Sequence, residues 1–195
     1  MQKRLFVGTL LPDEELDLLS RLRDELEPRL ARWWHCKLRW VKPSKLHTTW
    51  LFLGSCDDAT QKEVNARLES AAAQLHSTEL KYDSIELFPN KSHPVALVLL
   101  PASIPEGVKQ ISALLRKDIG QFCEKKEDRP FRPHLTLLRF PKDLHEKLIW
   151  KDNELKLEEY LPLTQTFKSF SLIESHLGQS RDGYEILRDY QLIRD

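Results

Sequence analysis

Two stretches decide the reading: His47-Thr48-Thr49-Trp50-Leu51-Phe52-Leu53-Gly54 and His134-Leu135-Thr136-Leu137-Leu138-Arg139-Phe140. Each is a largely apolar run of strand length that opens with His-x-Thr, and in a strand residues i and i+2 share a face. His47 therefore projects with Thr49, and His134 with Thr136. Each pair offers a group that can transfer a proton near neutral pH and a hydroxyl that can donate a hydrogen bond. Two such pairs facing each other would bracket a phosphate. One imidazole would take a proton from water and the other would protonate the departing oxygen, while the hydroxyls held the non-bridging oxygens as charge grows.

The motif is short, and His76-Ser77-Thr78 also fits it. That copy follows a helical stretch and has no apolar strand around it, so it reads as a solvated bystander. One copy alone reads better as a hydrogen-bonded strand histidine; the pairing and the surrounding charge separate the other two. From Pro28 to Cys56 there is no acid, yet Arg29, Arg32, Lys37, Arg39, Lys42 and Lys45 are present. From Arg129 to Lys142 acids are again absent, with Arg129, Arg132, Arg139 and Lys142. Positive charge around both motifs suits a phosphate substrate. Trp33, Trp34 and Trp40 are interleaved with the first basic window and could form a stacking surface for single-stranded RNA, although core packing is the commoner fate of Trp.

Outward from these strands the chain alternates strand and helix. Arg4 to Leu10 reads as a strand leading into a helix opened by Pro12 and the acids Asp13, Glu14 and Glu15, with Leu16, Leu19, Leu22 and Leu26 on one face. The Trp33-Trp34 region reads as a loop, and Leu38 to Leu53 as a strand region broken at Pro43-Ser44. Asp57 and Asp58 cap a second helix with Val64, Leu68, Ala71 and Leu75 inward. Leu80 to Leu87 and Val95 to Leu100 read as two strands joined by a Pro89-Asn90-Lys91-Ser92 turn. Ser103 to Glu106 has capping-box spacing before a third helix carrying Val108, Ile111, Leu115 and Phe122. Phe131 to Phe140 reads as a strand, and Phe167 to His176 and Tyr184 to Ile193 as a hairpin around Gly178 and Gly183. Each half thus repeats strand, helix and a His-x-Thr strand.

Composition bounds the rest. The 195 residues are 41% hydrophobic and 31% charged, with 30 basic and 30 acidic side chains, ordinary for a globular protein with a sizeable core. No apolar run approaches membrane-spanning length. Cys36, Cys56 and Cys123 are odd in number and show no CxxC spacing, which argues against a disulfide framework or zinc site and fits a reducing cytosol.

The paired His-x-Thr strands, the opening Arg4-Leu5-Phe6-Val7 strand and the Pro133-His134-Leu135-Thr136-Leu137 stretch together resemble the 2H phosphoesterases, in particular the RNA 2′,3′-cyclic phosphodiesterases, also known as 2′-5′ RNA ligases. The resemblance runs through Glu174-Ser175 and Tyr184-Glu185 of the closing hairpin. It implies an α+β fold, one bilobal domain over residues 1–195 in which two antiparallel sheets form a central cleft with helices outside and one motif lies in each lobe. It further implies metal-independent hydrolysis of RNA 2′,3′-cyclic phosphate ends to 2′-phosphomonoesters, with His47 as proton donor, His134 as proton acceptor, and Thr49 and Thr136 beside them. Arg139, Phe88, Trp50 and Tyr184 are the candidate substrate contacts. Strict alternation turns Thr48 and Trp50 away from the cleft, and Arg139 needs a bulge or a strand end to reach it. No cofactor, no metal and no membrane are expected, and a cytoplasmic monomer acting on RNA or oligonucleotide ends is. The alternatives are 2′-5′ RNA ligation, cleavage of 2′-5′ linked oligonucleotides, and a non-catalytic RNA-binding module, which would need the basic aromatic surface but not two matched histidines.

Overall fold

The computed structural model describes residues 2–35, 38–125, 129–141, 148, 150, 151, 155, 157–176 and 183–194. Cys36, Lys37, Lys142 and Gly178 lie outside the described residues. In chain order the elements are β1 (Lys3–Leu10), α1 (Asp13–Trp34), β2 (Arg39–Trp40), a 3-10 turn at Pro43–Lys45, β3 (His47–Cys56), α2 (Asp58–Ala72), β4 (Thr78–Tyr82), β5 (Ser84–Phe88), β6 (Ala96–Leu100), α3 (Glu106–Ile119), a 3-10 turn at Gly120–Phe122, β7 (Leu135–Arg139), β8 (Leu163–Phe167), β9 (Ser169–Ser175) and β10 (Tyr184–Gln191). The fold is α+β.

Among the described residues, one antiparallel sheet runs in the order β10-β9-β1-β3-β7-β6-β5, with β2 also paired to β7. Its two halves, β10-β9-β1-β3 and β7-β6-β5, meet where β3 pairs with β7 at Thr48 and Leu135. The two expected antiparallel sheets are these two halves, joined by a narrow backbone link. A further two-stranded sheet, β4-β8, lies apart from it. Leu5, Val7, Leu51, Leu135, Leu137 and Leu138 share one buried cluster with Leu22 and Leu26 of α1, Val64 and Leu68 of α2 and Ile111 of α3. That defines the helix-covered face of the large sheet. Ala96, Val98 and Leu100 of β6 face the other way, with Phe88 packed against them.

Several element boundaries differ from the sequence reading, each for a local reason. Trp33 and Trp34 are helical rather than loop: the stripe Leu19, Leu22, Leu26, Leu30 and Trp34 keeps burying residues past Pro28, and α1 stops only where His35 takes φ 48° and its N–H bonds Ala31 O. The span Leu80 to Leu87 breaks at Asp83 into β4 and β5, which belong to different sheets. The third helix begins at Glu106 after Pro105 with no side-chain cap bond, so the capping-box spacing at Ser103 is not used. Asp57 does cap α2, its Oδ1 accepting from Thr60 N at 2.8 Å. Cys56 and Cys123 are free thiols, and no helix among the described residues is long and apolar enough to cross a membrane.

Candidate active site

The joint between the half-sheets brings the two motifs together. Thr48 opposes Leu135 in an antiparallel pair. Extending that register by one residue each way sets His47 against Thr136 and Thr49 against His134. The two imidazoles are then diagonal neighbours on one face, a separation of roughly 7–8 Å that is somewhat less between their Cβ atoms. Neither Thr49 nor Thr136 has a hydroxyl partner among the described residues.

The two histidines are held alike. His47 Nδ1 lies 2.7 Å from the carbonyl of Lys45, and His134 Nδ1 lies 2.9 Å from that of Arg132. A carbonyl only accepts, so each Nδ1 carries the proton and each neutral ring presents a bare Nε2 lone pair. Burial pushes His47 down to about 4; the Lys45 bond opposes this, and the charges of Arg139 and His134 reinforce it. His134 is also lowered, first by burial and then by Arg139 and Arg132, against the pull of the Arg132 carbonyl. At neutral pH both rings are therefore neutral. A phosphate anion would reverse the balance, because its charge offsets the arginines and favours a proton on Nε2.

The same irregularity occurs in both strands. Along β1–β3, Gly8 opposes Thr49 and Val7 opposes Leu51, so Trp50 is an extra residue. Along β6–β7, Val98 opposes Thr136 and Leu97 opposes Leu138, so Leu137 is extra. Each bulge falls three residues after the histidine and flips the alternation beyond it. Trp50 and Leu51 both turn to the core, as do Leu137 and Leu138. The fifth residue after each histidine, Phe52 on one strand and Arg139 on the other, returns to the face of the histidine.

These bulges place the substrate-contact candidates. Arg139 opposes Ala96, on the face of Thr136, and its charge reaches both imidazoles. Phe88 stacks on His134 with ring centroids 4.5 Å apart, and the Arg132 guanidinium lies 5.2 Å from the centre of the Phe88 ring. Tyr184 meets His47 edge-on at 5.2 Å, and Lys45 Nζ is 5.7 Å from the centre of the Tyr184 ring. Trp50 is a correction. It is 4% exposed, stacks on Phe131, packs on Phe167 and donates from Nε1 to Thr9 Oγ1 at 2.9 Å, so it is a core residue and not a substrate contact.

Sequence reasoning missed two neighbours of the site, Phe6 and Phe52, and placed Lys45 and Arg132 only within the basic windows. Phe6 lies 5.1 Å from the rings of both His47 and Tyr184, and Phe52, 62% exposed, continues that aromatic row at 6.0 Å from Phe6. Lys45 and Arg132 each stand two places before a histidine, a shared spacing that could have marked them. His76 is exposed and pairs through a single bridge with Ile193, which belongs to neither motif strand.

Among the described residues, one group could hold a cation. Ligand atoms of Glu174, His176 and Glu185 lie within 4.8 Å of one another. Each ring nitrogen of His176 faces a carboxylate, Nδ1 to Glu174 at 3.6 Å and Nε2 to Glu185 at 3.2 Å. Glu174 opposes Leu5, whose side chain is on the helix-covered face, so the cluster does not join the histidine pair.

The sequence profile of the 2′-5′ RNA ligase superfamily matches residues 22–179, a span that includes both His-x-Thr strands. The chain belongs to the 2′-5′ RNA ligase superfamily. Within it, the RNA 2′,3′-cyclic phosphodiesterase of Bacillus subtilis (strain 168) is 27% identical over 163 residues, covering 79% of this chain and 80% of the relative. The enzyme of the same name from Aquifex aeolicus (strain VF5) is 24% identical and covers 97% of each chain. Among solved structures, E. coli LigT complexed with 3′-AMP superposes with a TM-score of 0.76 at 24% identity, over 98% of this chain and 99% of that one. TT0787 of Thermus thermophilus gives 0.73 at 22% identity, over 97% of each chain. Membership in the superfamily and these relatives make the protein a phosphoesterase.

Proposed function

We propose that this phosphoesterase hydrolyses RNA 2′,3′-cyclic phosphate ends to 2′-phosphomonoesters, working without metal as one bilobal domain with a His-x-Thr motif in each lobe. His134 Nε2 takes the proton from water as it attacks phosphorus. His47 Nε2 gives a proton to the 3′ oxygen as the P–O3′ bond breaks. The Thr49 and Thr136 hydroxyls and the Arg139 guanidinium stabilise the charge on the non-bridging oxygens. Binding of the phosphate anion is what lets His47 hold a proton, because burial strips it from the free site.

The observation that carries this reading is the matched anchoring of the two rings: each is held through Nδ1 by a backbone carbonyl, which leaves each Nε2 free for proton transfer, and the Thr48–Leu135 pair sets the two motifs side by side. The names of the relatives supply the substrate class. Purified protein, stripped with EDTA and dialysed, is incubated with 2′,3′-cyclic AMP and the product followed by phosphorus NMR. The expected result is turnover to 2′-AMP. Activity that disappears with chelation and returns with zinc or manganese would overturn the metal-independent route. Binding of the nucleotide with no turnover would instead make the protein an RNA-binding module.

A further inference from the structure

We infer that Thr48, Tyr82 and Gln165 form a buried positioning network that sets the angle of β3 at the joint, and so holds His47 and Thr49 in register with His134 and Thr136. The inference rests on the phosphodiesterase reading above.

The first support is location. Thr48 lies between His47 and Thr49, is fully buried, and is the β3 residue that pairs with β7. Whatever fixes Thr48 from behind therefore fixes the one β3–β7 paired position among the described residues and the two side chains that flank it in front. The second is the partner set. Thr48 Oγ1, Tyr82 Oη and Gln165 Oε1 lie within hydrogen-bond reach of one another, at 2.5 Å between the hydroxyls and at 2.8 and 3.0 Å from Thr48 and Tyr82 to Oε1, and the two hydroxyl protons serve them as a relay, one hydroxyl donating to the other and that one donating to Oε1. Tyr82 is on β4 and Gln165 on β8, so the small sheet reaches the back of the catalytic strand through both of its strands.

The third support is that stability alone does not account for these residues. All three side chains are fully buried, and the Gln165 Nε2 faces no hydrogen-bond acceptor among the described residues. A buried amide group left bare is costly, and apolar side chains of similar size would fill the space without it. What a hydroxyl and an amide add that leucine cannot is direction, since a hydrogen bond tolerates little change in angle. The neighbouring rear-facing residue is tied in the same manner, Trp50 Nε1 donating to Thr9 Oγ1, which donates to Ser169 O at 2.8 Å. Thr49 thus stands between two residues that are both hydrogen-bonded from behind.

The test compares Thr48→Val, which keeps the shape and loses the hydroxyl, with Tyr82→Phe and Thr48→Ser. With 2′,3′-cyclic AMP, Thr48→Val and Tyr82→Phe are expected to lower kcat about 3- to 30-fold, the scale of a small misplacement of catalytic groups, with KM within about twofold of wild type. Melting temperatures should stay within a few degrees, and Thr48→Ser should recover kcat to within about twofold. A Thr48→Val variant with wild-type kcat, or losses that Thr48→Ser does not rescue, would overturn the network while leaving the phosphodiesterase reading intact. A second readout does not depend on turnover: nitrogen-15 NMR of the His47 ring should show its titration midpoint move upward in Thr48→Val as the strand loosens. Should wild-type protein not turn over the cyclic nucleotide, the reading fails. The network then stands if the His47 midpoint moves and falls if it does not.

Discussion

Burial holds the His47 imidazole neutral through the physiological range, so the proton it would deliver has to be taken up from solvent as the phosphate anion binds. Replacing His47 or His134 by Ala should each cost about 10²–10⁴ in rate, the usual worth of one general acid or base. On the proposed mechanism the two act as a unit, so the double variant should fall short of the product of the single losses. His76→Ala, at an exposed position, should change turnover by less than about twofold, with circular dichroism native-like in all three. The same burial makes a thermodynamic prediction. An unfolded chain protonates this histidine near pH 6.5, whereas the folded chain does so only near pH 4. The folded state binds fewer protons in between, so stability that is fully present above pH 6.5 is lost as the pH falls toward 4, by about 3 kcal/mol at most. Urea midpoints measured at pH 7 and pH 4.5 should show that drop, and His47→Gln should remove its share. An undiminished drop in His47→Gln would place the acid sensitivity elsewhere.

At the level of elements, the site depends on two bulges. Without the extra residue at Leu137, Arg139 would face the helices, and without the one at Trp50, Phe52 would do so. Because the Arg139 charge depresses both imidazoles, Arg139→Leu should raise the titration midpoints of His47 and His134 in the free protein while weakening phosphate binding, both readable by NMR. Trp50 makes the contrasting case. Trp50→Ala should destabilise by about 3–5 kcal/mol in urea, as for other buried aromatics, and leave the KM of the folded fraction unchanged. The His-x-Thr pairs were legible because the period of two holds from each histidine to its threonine. Beyond that, neither Trp50 nor Leu137 is a residue type that marks a bulge, so the faces of Phe52 and Arg139 could not be read from spacing. The end of α1 was hidden by Pro28 and the Trp pair, although Leu30 and Trp34 continue its buried stripe. Leu163-Thr164-Gln165-Thr166-Phe167 alternates as a strand should, but its middle inward position is a glutamine, and a polar residue there disguises a core-facing element. The break at Asp83 carries no glycine or proline to announce it.

The whole molecule has 30 basic and 30 acidic side chains, and the positive charge that matters is local: Lys45, Arg132 and Arg139 stand beside the imidazoles. Affinity for an oligonucleotide ending in a cyclic phosphate should therefore weaken with salt, but with a shallow slope reflecting few phosphate contacts, measurable as KM from about 50 to 200 mM salt. The two motifs share more than sequence. Both anchor Nδ1 to the carbonyl two residues back, both bulge three residues on, and they cross at one antiparallel pair. Such a plan amounts to a local dyad through the joint, broken by what each copy carries at its fifth place, a ring on one side and a cation on the other, and by the rings beside each histidine, Phe6 and Tyr184 at His47 and Phe88 at His134. An inorganic phosphate ion, being nearly symmetric itself, can lie on that axis, and titrating it in should perturb the ring signals of His47 and His134 to similar extents. A nucleotide has a base at one end only and cannot obey the dyad. It should perturb the two rings unequally, and exchanging the fifth residues (Phe52→Arg with Arg139→Phe) should reverse which ring responds more, turning the substrate end for end in a site whose framework does not distinguish the two orientations.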